Sequence, residues 1–315
     1  MQLQPTPTKQ VMMPFRKKYA YATAAFSLAL LLASCGGGGD SPGSPLKAKA
    51  PAEMVNTTWI KEAPLYGACC NYAQILIDGV DADAKTQIYT NADPLAHGAG
   101  LHLYQGTLNN VAYKGQVLSI ATPADAYIRT FGLAKRDGKY YALLYTGDAY
   151  PPSAGFSPSW ATSNDGIQWT WAGPVSPYPR SFSSGQALVA EPDGSFKAWI
   201  DQVGGTLREM SSPDGLTWKD DGDIWPDSLP KGQALWPNAT RTKNGTMLAV
   251  SNGFPATKIR TLWQCNGKKQ WSVFEDDAPI QNGSKGTSLA WDGARIHAYA
   301  NGTHWTRAEP DCTAN

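Results

Sequence analysis

The chain is 315 residues long and nearly neutral, with 27 basic against 26 acidic side chains, so there is no electrostatic case for a nucleic-acid partner. Its 12 Trp, 14 Tyr, 31 Gly and 23 Pro, without a long apolar stripe of 3.6-residue period, argue against a helical bundle and for an all-β domain. The first 34 residues read as a secretory signal peptide. Arg16-Lys17-Lys18 precede an apolar run over residues 19–32, too short to cross a bilayer, and Ala33-Ser34 form a small-residue junction. Its removal takes four basic residues and no acidic one, leaving 23 basic against 26 acidic groups and a formal charge of −3. Residues 35–55, with four consecutive Gly from Gly36 and then Ser-Pro pairs, read as a flexible tether, and residues 56–315 as a body able to bury one large core.

Within that body short turns recur between apolar runs. Asp78-Gly79, Asp137-Gly138, Asp193-Gly194, Asn244-Gly245 and Asp292-Gly293 follow one another at intervals of 59, 56, 51 and 48 residues. Such dipeptides between strands are strong hairpin signals, and five at near-regular spacing predict a five-bladed β-propeller with each turn joining the first two strands of a blade. A second repeat, Ser-x-Asp-Gly-x-x-Trp, occurs at Ser163–Trp169 and Ser212–Trp218, 49 residues apart. Here Asp can accept its own turn's N–H groups, Gly supplies positive φ, and Trp wedges an apolar ring between layers. The boxes fall between the third and fourth strands of blades two and three, and Gln264–Trp271 reads as a degraded copy in blade four. Blade five runs out after three strands, and Thr57-Thr58-Trp59-Ile60-Lys61 is predicted to supply its fourth and close the ring.

Two resemblances follow. Leu32-Ala33-Ser34-Cys35 resembles the bacterial lipobox, which implies cleavage before Cys35, lipid on its sulfur, and a place in the cell envelope; Gly36 in the next position points to the outer membrane, facing the periplasm or the cell surface. The phrases Lys135-Arg136-Asp137-Gly138-Lys139-Tyr140-Tyr141 and Ala161–Trp169 resemble five-bladed propellers of glycoside hydrolase families 43 and 32, best over residues 128–226. The sialidase Asp box has one more residue between Asp and Trp, and a six-bladed sialidase-like propeller is the alternative.

In the resembling families substrate binds at the end of the channel where the inner strands begin. Hydrolysis there needs two carboxyl groups flanking the scissile bond. The acidic first-blade residue of the family 43 pattern is missing here, and Asn71 or Tyr72 stands near its place. The remaining carboxylates of that end are Asp125, Asp148 and Asp201, with Asp148 and Asp201 at equivalent positions of successive blades; each can equally cap a loop. Arg129, Arg180 and Lys285 accompany Tyr127, Phe182 and Trp236, a combination suited to an acidic glycan. Glycoside hydrolase and non-catalytic glycan-binding or protein-binding lipoprotein both stay open. No cofactor is expected and no metal site, because the acidic loops around Asp78 and Asp220 lack calcium-loop spacing. A monomer is expected. After lipidation Cys69, Cys70, Cys265 and Cys312 remain in an oxidising compartment, where Cys265–Cys312 with a vicinal Cys69–Cys70 bond is one pairing and a crossing of the blade-one to blade-five seam another.

Overall fold

The computed structural model describes residues 58–62, 73–80, 83–91, 100–108, 110–118, 127–147, 157–177, 185–201, 206–231, 235–251, 258–280, 287–300 and 303–312. The signal, the tether and Cys35, Cys69 and Cys70 lie outside these residues. The described residues hold no helix; their strands form five antiparallel sheets of four strands each. Blade one is β2 (Ala73–Asp78), β3 (Lys85–Thr90), β4 (Leu101–Thr107) and β5 (Asn110–Leu118). Blade two is β6 (Tyr127–Arg136), β7 (Lys139–Gly147), β8 (Ser157–Ser163) and β9 (Trp169–Pro174). Blade three is β10 (Gln186–Ala190), β11 (Phe196–Asp201), β12 (Leu207–Ser212) and β13 (Lys219–Asp223), and blade four is β14 (Leu235–Arg241), β15 (Gly245–Ser251), β16 (Ile259–Cys265) and β17 (Ser272–Ala278). Blade five is β18 (Ser288–Trp291), β19 (Arg295–Ala300) and β20 (Thr303–Ala308), completed by β1 (Ile60–Glu62) from the other end of the chain.

The first strands of the blades contact one another in a cycle, β2 to β6, β10, β14, β18 and back to β2, which makes them the inner ring of a five-bladed propeller. Each Asp-Gly or Asn-Gly turn joins an inner strand to its neighbour, as the spacing predicts. At Asp137-Gly138 both residues have positive φ, 51° and 76°, the geometry of a two-residue hairpin that matches strand twist. The closing strand pairs Ile60, Lys61 and Glu62 with Thr306, Trp305 and His304. Hydrophobic clusters fill the spaces between successive blades rather than a single centre, so each blade is buried on both faces.

The boxes rivet neighbouring blades. In blade two Ser163 Oγ accepts the Gly166 N–H at 2.9 Å and Asp165 Oδ1 accepts those of Ile167 and Gln168 at 2.7 Å, while Trp169 Nε1 donates to the Gly166 carbonyl at 3.1 Å. Those N–H donors hold the exposed Asp165 carboxyl below its ordinary range. The same Gly166 carbonyl accepts from Tyr89 OH of blade one at 2.9 Å. Blade three repeats the turn around Asp214, and Trp218 packs edge-on against Trp160 of blade two, centroids 6.2 Å apart. In blade four Trp271 reaches back to Trp199 and to the Glu209 carboxylate of blade three, and a disulfide joins Cys265 of its turn to Cys312 of the C-terminal segment. Trp59, which precedes the outer strand of blade five, donates to Glu275 of blade four at 2.7 Å.

Gly215 and Gly194 separate two costs. Both have positive φ, +83° and +99°, but a Cβ on Gly215 would lie 2.3 Å from the Trp160 ring, whereas Gly194 has nothing within 4 Å. Gly194→Ala is expected to cost about 1–2 kcal/mol for backbone strain alone. Gly215→Ala is expected to lose a further 1–3 kcal/mol or so by overpacking, read from denaturant midpoints; equal losses would mean the box does not press on Trp160.

Candidate functional site

The channel has two ends. At one end lie the five hairpin turns; at the other, the open end, the inner strands begin and the second strands finish. The described elements of the open end bring together Gly185, Asp201 and Trp236. Asp201 ends β11 and is 1% exposed. Its Oδ1 accepts the N–H of Gly185 at 3.3 Å, just before β10. Gly185 in turn abuts the backbone of Trp236, since a Cβ there would lie 2.8 Å from Trp236 Cα. A carboxylate thus fixes a glycine, and the glycine leaves room for a tryptophan from the next blade.

Trp236 itself is strained. Its φ is +50°, uncommon for any residue but Gly, and Pro237 follows, which pushes the preceding residue toward extended backbone. Such a conformation costs on the order of 1–3 kcal/mol and persists where the surroundings over-determine it. Here the half-buried indole reaches beyond its own blade to pack against the cluster between blades one and two. The ladder between β14 and β15 shifts register between Leu235 and Asn238, and that between β6 and β7 shifts between Ile128 and Thr130. Both irregularities lie at the open end, where bulges re-aim side chains.

The sequence-predicted site residues divide accordingly. Asp201 and Trp236 meet through Gly185. Tyr127 and Arg129 lie on β6 at the same end, Tyr127 opposite Gly147 in register. Asp125, Asp148, Arg180, Phe182 and Lys285 lie outside the described residues. Among the described residues no cluster of His, Cys, Asp or Glu is arranged to hold a metal ion. Gly185 is the member that sequence reasoning missed; its signal is the small-residue run Ser183-Ser184-Gly185 just before a strand.

The hairpin end has its own cavity of about 370 Å³, lined by the ends of the inner strands, including Asp78, Lys135, Arg136, Arg241 and Trp291. Its cations are already committed. Lys135 pairs with Asp78, Arg241 with Glu191 at 3.4 Å, and Arg136 donates to the Glu191 and Ser195 carbonyls while stacking over Phe196 at 4.9 Å. The box carboxylates lie between the third and fourth strands, at the blade margin, and bind their own turns.

The chain matches no family model and no curated protein. It is similar in structure to a protein described as a glycoside hydrolase, with TM-score 0.55 and 11% identity over 81% of this chain and 93% of that one. It is also similar to the GH43_1 enzyme of Xanthomonas citri in complex with xylotriose (TM-score 0.53, 13% identity, 82% and 93% covered). A GH43 β-1,3-galactosidase with galactodeoxynojirimycin gives TM-score 0.54 and 12% identity over 81% and 97%. These likenesses establish the shared five-bladed propeller.

Asp201→Ala would leave the Gly185 N–H buried without that acceptor, with an expected loss of about 1–3 kcal/mol; Asp201→Asn keeps an acceptor and should lose less than about 1. Denaturant unfolding of both variants checks this. An Ala variant as stable as the parent would remove the positioning role.

Proposed function

We propose that the open end binds carbohydrate and that the chain is a glycoside hydrolase-like propeller held extracytoplasmically at a bacterial envelope by lipid on Cys35. The observation that carries the reading is Trp236, a half-buried aromatic ring held at the channel end by its packing, whose exposed part offers a sugar ring a stacking surface. The cations of the hairpin end are paired by carboxylates and carbonyls of their own rim, which favours the open end as the binding end. Arg129, Arg180 and Lys285 belong to the same end by sequence, and suit a uronate or sialate carboxylate. In the hydrolytic form of the proposal Asp201 acts with Asp148 or Asp125 as the acid and base pair.

The burial of Asp201 favours a second reading, a glycan-binding protein without turnover. A carboxylate 1% exposed and bonded to Gly185 serves as a positioning group for the mouth. Turnover of a panel of aryl glycosides separates the two. A hydrolase predicts activity that falls by about 100-fold or more in Asp148→Asn and Asp201→Asn. A binding protein predicts no turnover in the parent, with affinity for oligosaccharides that Trp236→Ala abolishes. Equal affinity for neutral and uronate- or sialate-bearing glycans would sink the anionic preference. For the anchor, Cys35→Ser is expected to move the protein from the membrane to the soluble fraction; continued membrane partition would contradict it.

A further inference from the structure

Blade five turns toward blade one a face that carries three buried titratable groups, Asp292, His297 and His304, exposed by 7%, 3% and 5%. His297 Nε2 lies 2.8 Å from Asp292 Oδ2, and His297 Nδ1 lies 2.9 Å from His304 Nε2. The two imidazoles are stacked, 12° from parallel with centroids 5.1 Å apart. The other carboxylate oxygen of Asp292 accepts the N–H groups of Ala294 and Arg295 at 2.7 and 2.6 Å.

This arrangement limits the protons it can hold. The ionised Asp292 only accepts, so His297 Nε2 carries a hydrogen. His297 Nδ1 and His304 Nε2 then share one hydrogen between them. Either a neutral His297 accepts from His304, or a charged His297 donates to a neutral His304. A further proton from solvent puts N–H on both facing nitrogens and makes two imidazolium rings neighbours across 2.9 Å, with like charges and no acceptor between them.

The surroundings offer little relief. On β19 the same face carries Arg295 and Tyr299, and on β20 Thr306. On β1, Glu62 stands opposite His304 in register, but its Oε1 accepts from Thr306 Oγ1 at 2.8 Å and lies 3.9 Å from Arg295. From blade one, His102, Tyr104 and Tyr113 share the facing side, with His102 Nδ1 and Tyr113 OH 2.9 Å apart.

We propose that the His297–His304 pair is an acid-sensitive latch on the closing strand β1: one shared proton keeps the seam between blades five and one shut, and a second opens it and frees Ile60–Glu62. The strand at risk is the shortest of the blade, three residues paired to β20, and His304 sits in that pairing. Burial first, and then the charge on His297, push His304 down to about 4. An imidazole in the unfolded chain takes its proton near 6.5. Between those values the unfolded chain binds a proton that the folded seam refuses, so stability falls as pH falls through that window and levels off below it. The folding equilibrium is then about 300-fold less favourable once pH lies well below the window.

The test follows amide exchange of Ile60–Glu62 against that of β7 between pH 7 and pH 4, in the parent and in His304→Gln. The latch predicts that β1 exchange accelerates relative to β7 as the parent is acidified, and that the Gln variant flattens this difference. Imidazole NMR of the parent keeps the proposal open to refutation if the variant does not fold, since one ring must stay neutral until about pH 4. Two rings protonating together near pH 6.5, β1 exchange that tracks β7, or a folded Gln variant with the parent's profile would each overturn it.

Discussion

An inner propeller strand has a sheet partner on only one side, and its other edge faces the channel and the neighbouring blades. Its backbone donors and acceptors there are buried and must find partners that no ladder supplies. Three junctions solve this with side chains from the adjoining inner strand. Gln74 bridges blades one and two, donating to the Phe131 carbonyl at 3.2 Å and accepting the Leu133 N–H at 3.3 Å. Asn238 accepts the Leu289 N–H between blades four and five at 2.8 Å, and Ser288 accepts that of Ile75 between blades five and one at 2.8 Å. Gln186 does related work between blades three and two through the Leu143 carbonyl at 2.5 Å. The ring therefore closes by polar contacts at its axis and apolar ones between its blades.

Outside the axis four junctions, from blades one and two to blades four and five, are held by tryptophan. Trp169, Trp218, Trp271 and Trp59 each stand at or just before the outer strand of a blade, and each reaches the preceding blade: Tyr89, Trp160, Trp199 with Glu209, and Glu275 in turn. Two of the four announce themselves in the sequence as Ser-x-Asp-Gly-x-x-Trp, and the third as a worn copy. Trp59 was legible only as part of a closing strand, because the chain supplies it before blade one instead of after β20. The box carboxylates accept N–H groups of their own turns, at the blade margin and away from the channel ends.

Turn chemistry made the blade count readable: the glycines of four of the five turns, Gly79, Gly138, Gly194 and Gly293, take positive φ, and Gly245 alone does not. The inner-edge bridges were not readable. Gln74, Asn238 and Ser288 look like polar interruptions of apolar strands, and their partners lie 51 to 213 residues away in sequence. The open end was half legible. Asp201 and Trp236 could be placed there from strand order, but the strain at Trp236 and its dependence on Gly185 come from packing between blades three and four. Asp201, read from sequence as one of a catalytic pair or a loop cap, is buried in the structure and accepts the Gly185 N–H.

Carbohydrate is proposed to land at the open end. Amide chemical-shift mapping during titration with neutral and uronate-bearing oligosaccharides tests this most directly. The predicted result is a set of shifts confined to the starts of β6, β10 and β14, including Gly185 and Trp236, with the box turns and the hairpin end silent. Shifts centred on Asp78, Lys135 and Arg241 would place the ligand at the opposite end of the channel and contradict the account.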